Sequence, residues 1–277
     1  MFFLFKRRKE SCNATPSYVL GSSGSILELS KRQKKYLSEH PYVFGMNKFL
    51  LYWNKAEISP SYYFLADTHF PSYVVFQRTI EKLDSLPRRP TLCLDRAYKP
   101  FLTTNVLPEE RENAEKQISE WKENHPDCPF RLFNIDDSDV VYFFRKDRFS
   151  KPNRFEWAKR LDQPLYFWRS SLTMLINLIA IIRPNAPIVL VGIDLNRRDY
   201  FFQEEFESET LLHDHTVGRS KDLHATAAKL GKRPGIHERW PFINKMCAKK
   251  GISIYNANSN SLLVEQGYVQ FMNVPSR

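Results

Sequence analysis

Apolar positions along this chain gather in short unbroken runs, and each run ends in a small or polar residue. Tyr18–Leu20 leads into Gly21-Ser22-Ser23-Gly24, Tyr42–Phe44 into Gly45-Met46-Asn47, and Tyr62–Leu65 into Ala66-Asp67. Thr91–Leu94 leads into Asp95, Arg131–Phe133 into Asn134, Ile188–Val191 into Gly192-Ile193-Asp194, and Ile252–Tyr255 into Asn256-Ala257-Asn258. Runs without polar alternation suit strands buried on both faces, as in parallel sheets. Between them the period lengthens. Ser72–Leu86 carries apolar residues at helical spacing, and Pro108–Asn124 is rich in Glu, Lys and Arg, as an exposed helix is. Ser170–Ile182 is apolar almost all round and predicts a buried helix, while Arg239–Lys250 puts Trp240, Phe242, Ile243 and Met246 on one side. Strand–helix alternation predicts an α/β protein with a mainly parallel sheet flanked by helices.

Two stretches break the pattern. Residues 97–165 are rich in Pro and charge and read as an irregular insertion. Residues 196–236 are polar, beginning acidic (Glu204, Glu205, Glu207, Glu209) and ending basic (Arg219, Lys221, Lys229, Lys232, Arg233), and read as a lid or binding loop. Residues 1–16 form a tail, apolar over Met1–Phe5 and basic over Lys6–Lys9, the reverse of a signal peptide, and 17–277 a single domain. The tail could dip into an anionic membrane surface or stay unstructured.

Composition changes this picture little. The 277 residues are 42% hydrophobic and 26% charged, enough for a core and against long disorder. Lys and Arg outnumber Asp and Glu by 41 to 31, which suits an anionic partner: a nucleic acid, an anionic membrane or a phosphorylated substrate. No RRM, KH or helix-turn-helix signature accompanies the charge, so nucleic acid is not expected. Cys12, Cys93, Cys128 and Cys247 form no CxxC pair, which excludes a disulfide framework or structural zinc motif and fits the cytoplasm.

Candidate chemistry sits at the strand ends, where open α/β sheets bind ligands. Gly21, Ser22, Ser23 and Gly24 could face a phosphate with backbone N–H groups and hydroxyls, although the loop is neither GxGxxG nor a P-loop. Asn47, Asp67 and Asp194 could read a base or ribose, or be turn residues. Asp137-Ser138-Asp139 is a DxD, a weak pointer to a divalent metal. Arg169 stands before the buried helix with Ser170 and Ser171, natural anion ligands or caps. His213, His215, His224 and His237 lie in or beside the polar stretch and offer a general base.

Taken together, Val19–Ile26, Gly45–Phe49, Arg169-Ser170-Ser171, Val191–Asp194 and Asn258–Leu263 resemble, in order and spacing, the bacterial sialyltransferases of glycosyltransferase family 42. The resemblance covers about half the chain and is poor across 97–165. It implies a Rossmann-like fold that transfers a 2-keto acidic sugar, sialic acid or Kdo, from a CMP donor to a hydroxyl of a bacterial surface glycan or glycolipid. It implies no metal and no cofactor, and a protein peripheral to the inner face of the membrane. Carried over, Asn47 and Asp194 would meet the nucleotide, the Gly21–Ser25 loop the phosphate or cytidine, Ser171 the donor, Ser261 the phosphate, and Tyr200 the leaving phosphate, with Asp67, Arg169, Gly192 and Asn258 as further substrate-binding candidates. The family has Asn where Asp67 falls, and its base His lies in Gly-His-Ser-Lys where this chain has Gly218-Arg219-Ser220-Lys221. Distance to the last helix favours His237 as base, with His215 and His213 behind it. Pterin pyrophosphokinases and flagellin-glycosylation factors on a related scaffold are the alternative. A homo-oligomer stays open.

Overall fold

The computed structural model describes residues 14–66, 72–102, 106–124, 135–136, 139–145, 156–196, 200–207, 226–227 and 234–276. They form a nine-stranded sheet: β1 (Ser17–Leu20), β2 (Val43–Met46), β3 (Tyr62–Leu65), β4 (Thr91–Asp95), β5 (Val140–Arg145), β6 (Pro164–Leu165), β7 (Ile188–Val191), β8 (Ile254–Asn256) and β9 (Gln270–Phe271). The order across the sheet is β6-β5-β4-β3-β2-β1-β7-β8-β9, and every pairing between neighbours is parallel. The helices are α1 (Lys31–Glu39), α2 (Trp53–Ala56), α3 (Ser72–Lys82), α4 (Lys99–Leu102), α5 (Pro108–Asn124), α6 (Ser171–Ile182), α7 (Gln203–Glu207), α8 (Trp240–Ala248) and α9 (Leu262–Glu265). The fold is α/β and Rossmann-like.

The unbroken apolar runs are explained by two cores. Successive strand residues point to opposite faces. Tyr18, Leu20, Val43, Tyr63, Leu65, Leu92, Leu94, Val189 and Val191 enter one core, with Leu37 of α1, Ile80 of α3, and Ala114 and Ile118 of α5. Val19, Phe44, Phe64, Cys93, Ile188 and Leu190 enter the other, with Leu175, Ile176 and Ile179 of α6 and Trp240, Ile243 and Cys247 of α8. Both faces are covered, so polar residues such as Ser17, Asp95 and Asn256 stand only at strand ends.

Several expectations are refined. The expected Ser170–Ile182 helix begins at Ser171, because Ser170 is its N-cap and accepts a hydrogen bond from the Leu172 N–H at 3.2 Å. The stretch 97–165, read as irregular, carries α5 and the strands β5 and β6, which extend the sheet at one edge. Val140–Arg145 is as apolar as the central strands, and its charged neighbours hid it. The expected strand at 131–133 lies outside the described residues. So does most of the stretch 196–236 read as a lid, but its Tyr200–Glu207 portion is firmly packed. Phe201 and Phe202 are buried, Tyr52 stacks on Phe202 at 4.3 Å, and Lys55 bonds Glu205 at 2.8 Å.

Candidate functional site

Strand order reverses at β1. The chain runs outward from β1 through β2 to β6, then returns to place β7 on β1's other side. Loops leaving the carboxyl ends of β1 and β7 therefore meet at the switch point, where sheets of this kind take their ligands. Gly21 and Gly192 set how closely the two loops approach. A Cβ on Gly21 would lie 2.3 Å from the Gly192 carbonyl oxygen and 2.4 Å from Ile193 Cγ1, and Gly192 has φ +65°. The Gly21 N–H donates to Val191 O at 2.8 Å and the Ser23 N–H to Gly192 O at 2.9 Å.

Asp194 is the hub of this region. Its carboxylate accepts from Ser23 Oγ at 2.5 Å, Ser25 Oγ at 2.8 Å and Asn258 Nδ2 at 2.8 Å, and its carbonyl accepts from the Leu262 N–H at 2.8 Å. Asn256 Nδ2 donates to Ile193 O at 2.8 Å and its Oδ1 accepts from the Asn258 N–H at 2.8 Å. Asp194 thus ties together the loops after β1, β7 and β8. It is 1% exposed, so it shapes the crevice instead of reaching into it. Ser261 is also buried, and caps α9 through the Val264 N–H. The amide of Ser22 has no protein acceptor among the described residues, while the Gly24 amide belongs to the antiparallel bridge between Ser23 and Tyr200. Tyr200 reaches the same place: it bridges Ser23 in antiparallel fashion, Phe201 N–H donates to Ser22 O at 2.9 Å, and the Tyr200 ring stacks on Phe202. Burial pushes the Tyr200 hydroxyl pKa upward, so it stays a hydrogen-bond donor at neutral pH.

Asn47 follows β2, next to β1. Its φ is +51°, its carbonyl accepts from the Tyr63 hydroxyl, and its Oδ1 is buried without a partner among the described residues.

A second group forms where α6 and α8 begin. Both helices follow loops from the carboxyl edge, so their first residues lie at that edge. Arg169 has φ +56°, and its Nη1 donates to Pro234 O at 3.4 Å. The Arg239 guanidinium lies 4.2 Å over the Trp168 ring. Gly235 is pinned, because a Cβ there would lie 2.0 Å from Ala227 O and 2.8 Å from His237 Cε1. His237 is half-buried at the start of a short 3-10 turn, and its Nδ1 is buried with no partner among the described residues. Leu195, just after Asp194, also has positive φ (+62°). Left-handed Asn is tolerated, but left-handed Arg and Leu cost about 1 kcal/mol each. Such strain concentrates at functional sites.

The structure therefore gathers Gly21, Ser22, Ser23, Gly24, Tyr200, Gly192, Asp194, Asn258 and Ser261 around one switch point. Asn47 is one strand away, and Arg169, Ser171 and His237 form the neighbouring group. Asp67, His213 and His215 lie outside the described residues. Asp139 stands at the amino end of β5, the opposite edge of the sheet and four strands from β1, away from the switch point, and its DxD partner Asp137 lies outside the described residues. No group of three or more His, Cys, Asp or Glu side chains that could hold a metal occurs among the described residues. No described helix is long and apolar enough to cross a membrane. Sequence reading missed the bonding role of Asn256 and the aromatic anchor Phe201–Phe202, whose signal was an apolar triplet in a polar stretch.

No family model and no curated protein matches this chain. Among solved structures, it is similar to the MAf glycosyltransferase from Magnetospirillum magneticum AMB-1, at 12% identity and a TM-score of 0.43. That similarity covers 95% of this chain and 33% of the other, so the chain spans about a third of that structure's length.

Proposed function

We propose that this protein is a metal-independent glycosyltransferase, similar to the family 42 sialyltransferases, that moves a 2-keto acidic sugar from a CMP donor to a glycan hydroxyl. The observation that supports the reading is the switch point: a Gly-Ser loop locked by Asp194 against the end of β7. The acceptor oxygen attacks the anomeric carbon as the bond from that carbon to the phosphate oxygen breaks, and CMP leaves with the electron pair. His237 takes the acceptor proton. The Ser22 amide and the Tyr200 hydroxyl supply hydrogen bonds to the phosphate as its charge grows. Asn47 Oδ1 can accept from the cytosine amino group or a ribose hydroxyl, and Arg169 attracts the sugar carboxylate. One leaving phosphate needs no divalent ion where such donors converge. The basic chain, with formal charge +10, favours an anionic donor and an acceptor at an anionic membrane face.

The test is incubation with CMP-Neu5Ac and with CMP-Kdo, each with and without EDTA. CMP release from one donor, unchanged by EDTA, is expected. No release from either donor, together with no CMP binding, would overturn the reading. CMP release abolished by EDTA would overturn the metal-independent part of the reading, and diphosphate transfer from ATP to a pterin, lost in EDTA, would turn it toward a pyrophosphokinase.

A further inference from the structure

A cleft of about 670 Å³ opens far from the switch point. It is lined by Ser38 and Glu39 at the end of α1, Trp53 and Asn54 of α2, Glu57 and Ser59 before β3, and Pro87 and Arg88 before β4. All of these segments lead into strands, so the cleft lies at the amino edge of the sheet. A strand's length, roughly 15 Å for four or five residues, separates it from the carboxyl edge. Its volume is in the range of small-molecule sites, about 300–1,000 Å³.

The construction is specific. Glu57 ends α2 in the left-handed conformation, with φ +57°, and Lys34 holds its carboxylate at 3.7 Å. Arg88 Nη2 lies 3.5 Å from the carbonyls of both Ser38 and His40, fixing the guanidinium over the end of α1. Ser59 donates its N–H to Ser38 Oγ at 3.1 Å. Ser59 is 5% exposed, and its own hydroxyl has no partner among the described residues. Trp53 is half-buried and packs against the core, so its indole is held in place.

We infer that this cleft binds a neutral saccharide, with the Trp53 ring under the sugar and Asn54, Glu57, Ser59 and Arg88 on its hydroxyls. Sugar hydroxyls donate and accept at once, and the lining offers both roles: acceptors on Glu39, Glu57 and Asn54, donors on Asn54, Ser59 and Arg88. The negative face of an indole suits the polarised C–H groups of a sugar ring. Glu57 is paired with Lys34, Glu39 with Lys35, and Arg88 with the carbonyls of Ser38 and His40, so the lining offers hydrogen bonds without a strong net charge, which suits a neutral occupant better than the CMP donor. The site would hold a remote part of a glycan chain, and it stands independently of the CMP-sugar reading.

The test is saturation-transfer NMR on the full chain with maltotriose and with triacetylchitotriose. Transfer to the ring protons of at least one trisaccharide is expected, lost in Trp53→Ala and at least fivefold weaker in Asn54→Ala and Glu57→Gln. The latter two change exposed side chains and keep the assay decisive if Trp53→Ala fails to fold. Absence of transfer from both trisaccharides would overturn the inference. So would transfer that the variants leave unchanged, or transfer abolished by added CMP, which would put the sugar at the switch point. Retained CMP binding in the variants separates failure of this cleft from failure of the proposed activity.

Discussion

Asp194 and His237 both lie at the carboxyl edge of the same sheet, yet their surroundings are opposite. Asp194 has every carboxylate oxygen engaged by protein donors and is almost fully buried. His237 keeps a buried Nδ1 with no partner among the described residues, on a turn pinned by Gly235. A strand-end polar residue can thus be mortar or tool, and its partners tell which. Asp194 makes the crevice by joining three loops, whereas His237 and Asn47 keep polar capacity that the protein itself does not use. Unsatisfied buried polar atoms are costly and persist where a ligand or reaction completes them.

The contrast can be broken most directly at His237. His237→Ala should lower transfer by about 10²–10⁴-fold while CMP binding and the melting temperature hold. Unchanged turnover would move the base to His213 or His215. Asp194→Ala should do the reverse, chiefly a stability loss. It strands three donors in a buried place, at about 1–3 kcal/mol for each group left unsatisfied, and urea denaturation would read it. If Asp194→Ala kept full stability and lost only CMP binding, the two residues would have to exchange roles. Gly21→Ala should cost about 1–3 kcal/mol, since the Gly192 backbone must move to admit the methyl group. CMP affinity should fall with it, and calorimetry on the folded variant would show both.

A smaller effect comes from the amino edge. Burial, helped by Arg183, pushes the His40 pKa down to about 4 from an ordinary 6.5. Between those values the unfolded chain binds the proton and the folded one does not, so stability rises with pH across that window and falls as pH drops from 6.5 toward 4. His40→Gln should flatten that slope in a series of melts, and an unaltered slope would point to another group. The weakest expected effect is Lys55→Ala, which removes ion pairs with the exposed Glu204 and Glu205 and should cost at most about 1 kcal/mol.

Much of the architecture could be read from pattern. Ile188–Val191 is a strand because four aliphatic residues fill both cores, and Pro108–Asn124 is a helix to the residue. β6 and β9 have two residues each and sit at the sheet's edges, too short to show a period. The grouping of Ser23, Ser25, Asp194 and Asn258 could not be read in full, because hydrogen bonds spanning 64 to 171 residues leave no local trace. The resemblance offers Asp194 as a nucleotide contact, whereas its burial and three donors show the carboxylate facing inward. Asn177 was equally hidden. Inside an apolar helix it looks misplaced, yet it bonds the Ala158 N–H and carbonyl and the Tyr166 N–H, which holds the segment before α6.

The position of β1 has a consequence for how the chain is made. β1 pairs with β2 soon after synthesis, but its other neighbour β7 follows far later, with Val19 opposite Leu190. At roughly 5–20 residues per second, a ribosome would need on the order of 10–30 s to reach it. Through that interval the future centre of the sheet has a bare edge, and the Gly21–Ser25 loop has no Asp194 to close on. The pairing of β7 both joins the two sides of the sheet and brings Asp194 to the Gly21–Ser25 loop, so a nascent chain that stalls before β7 has neither.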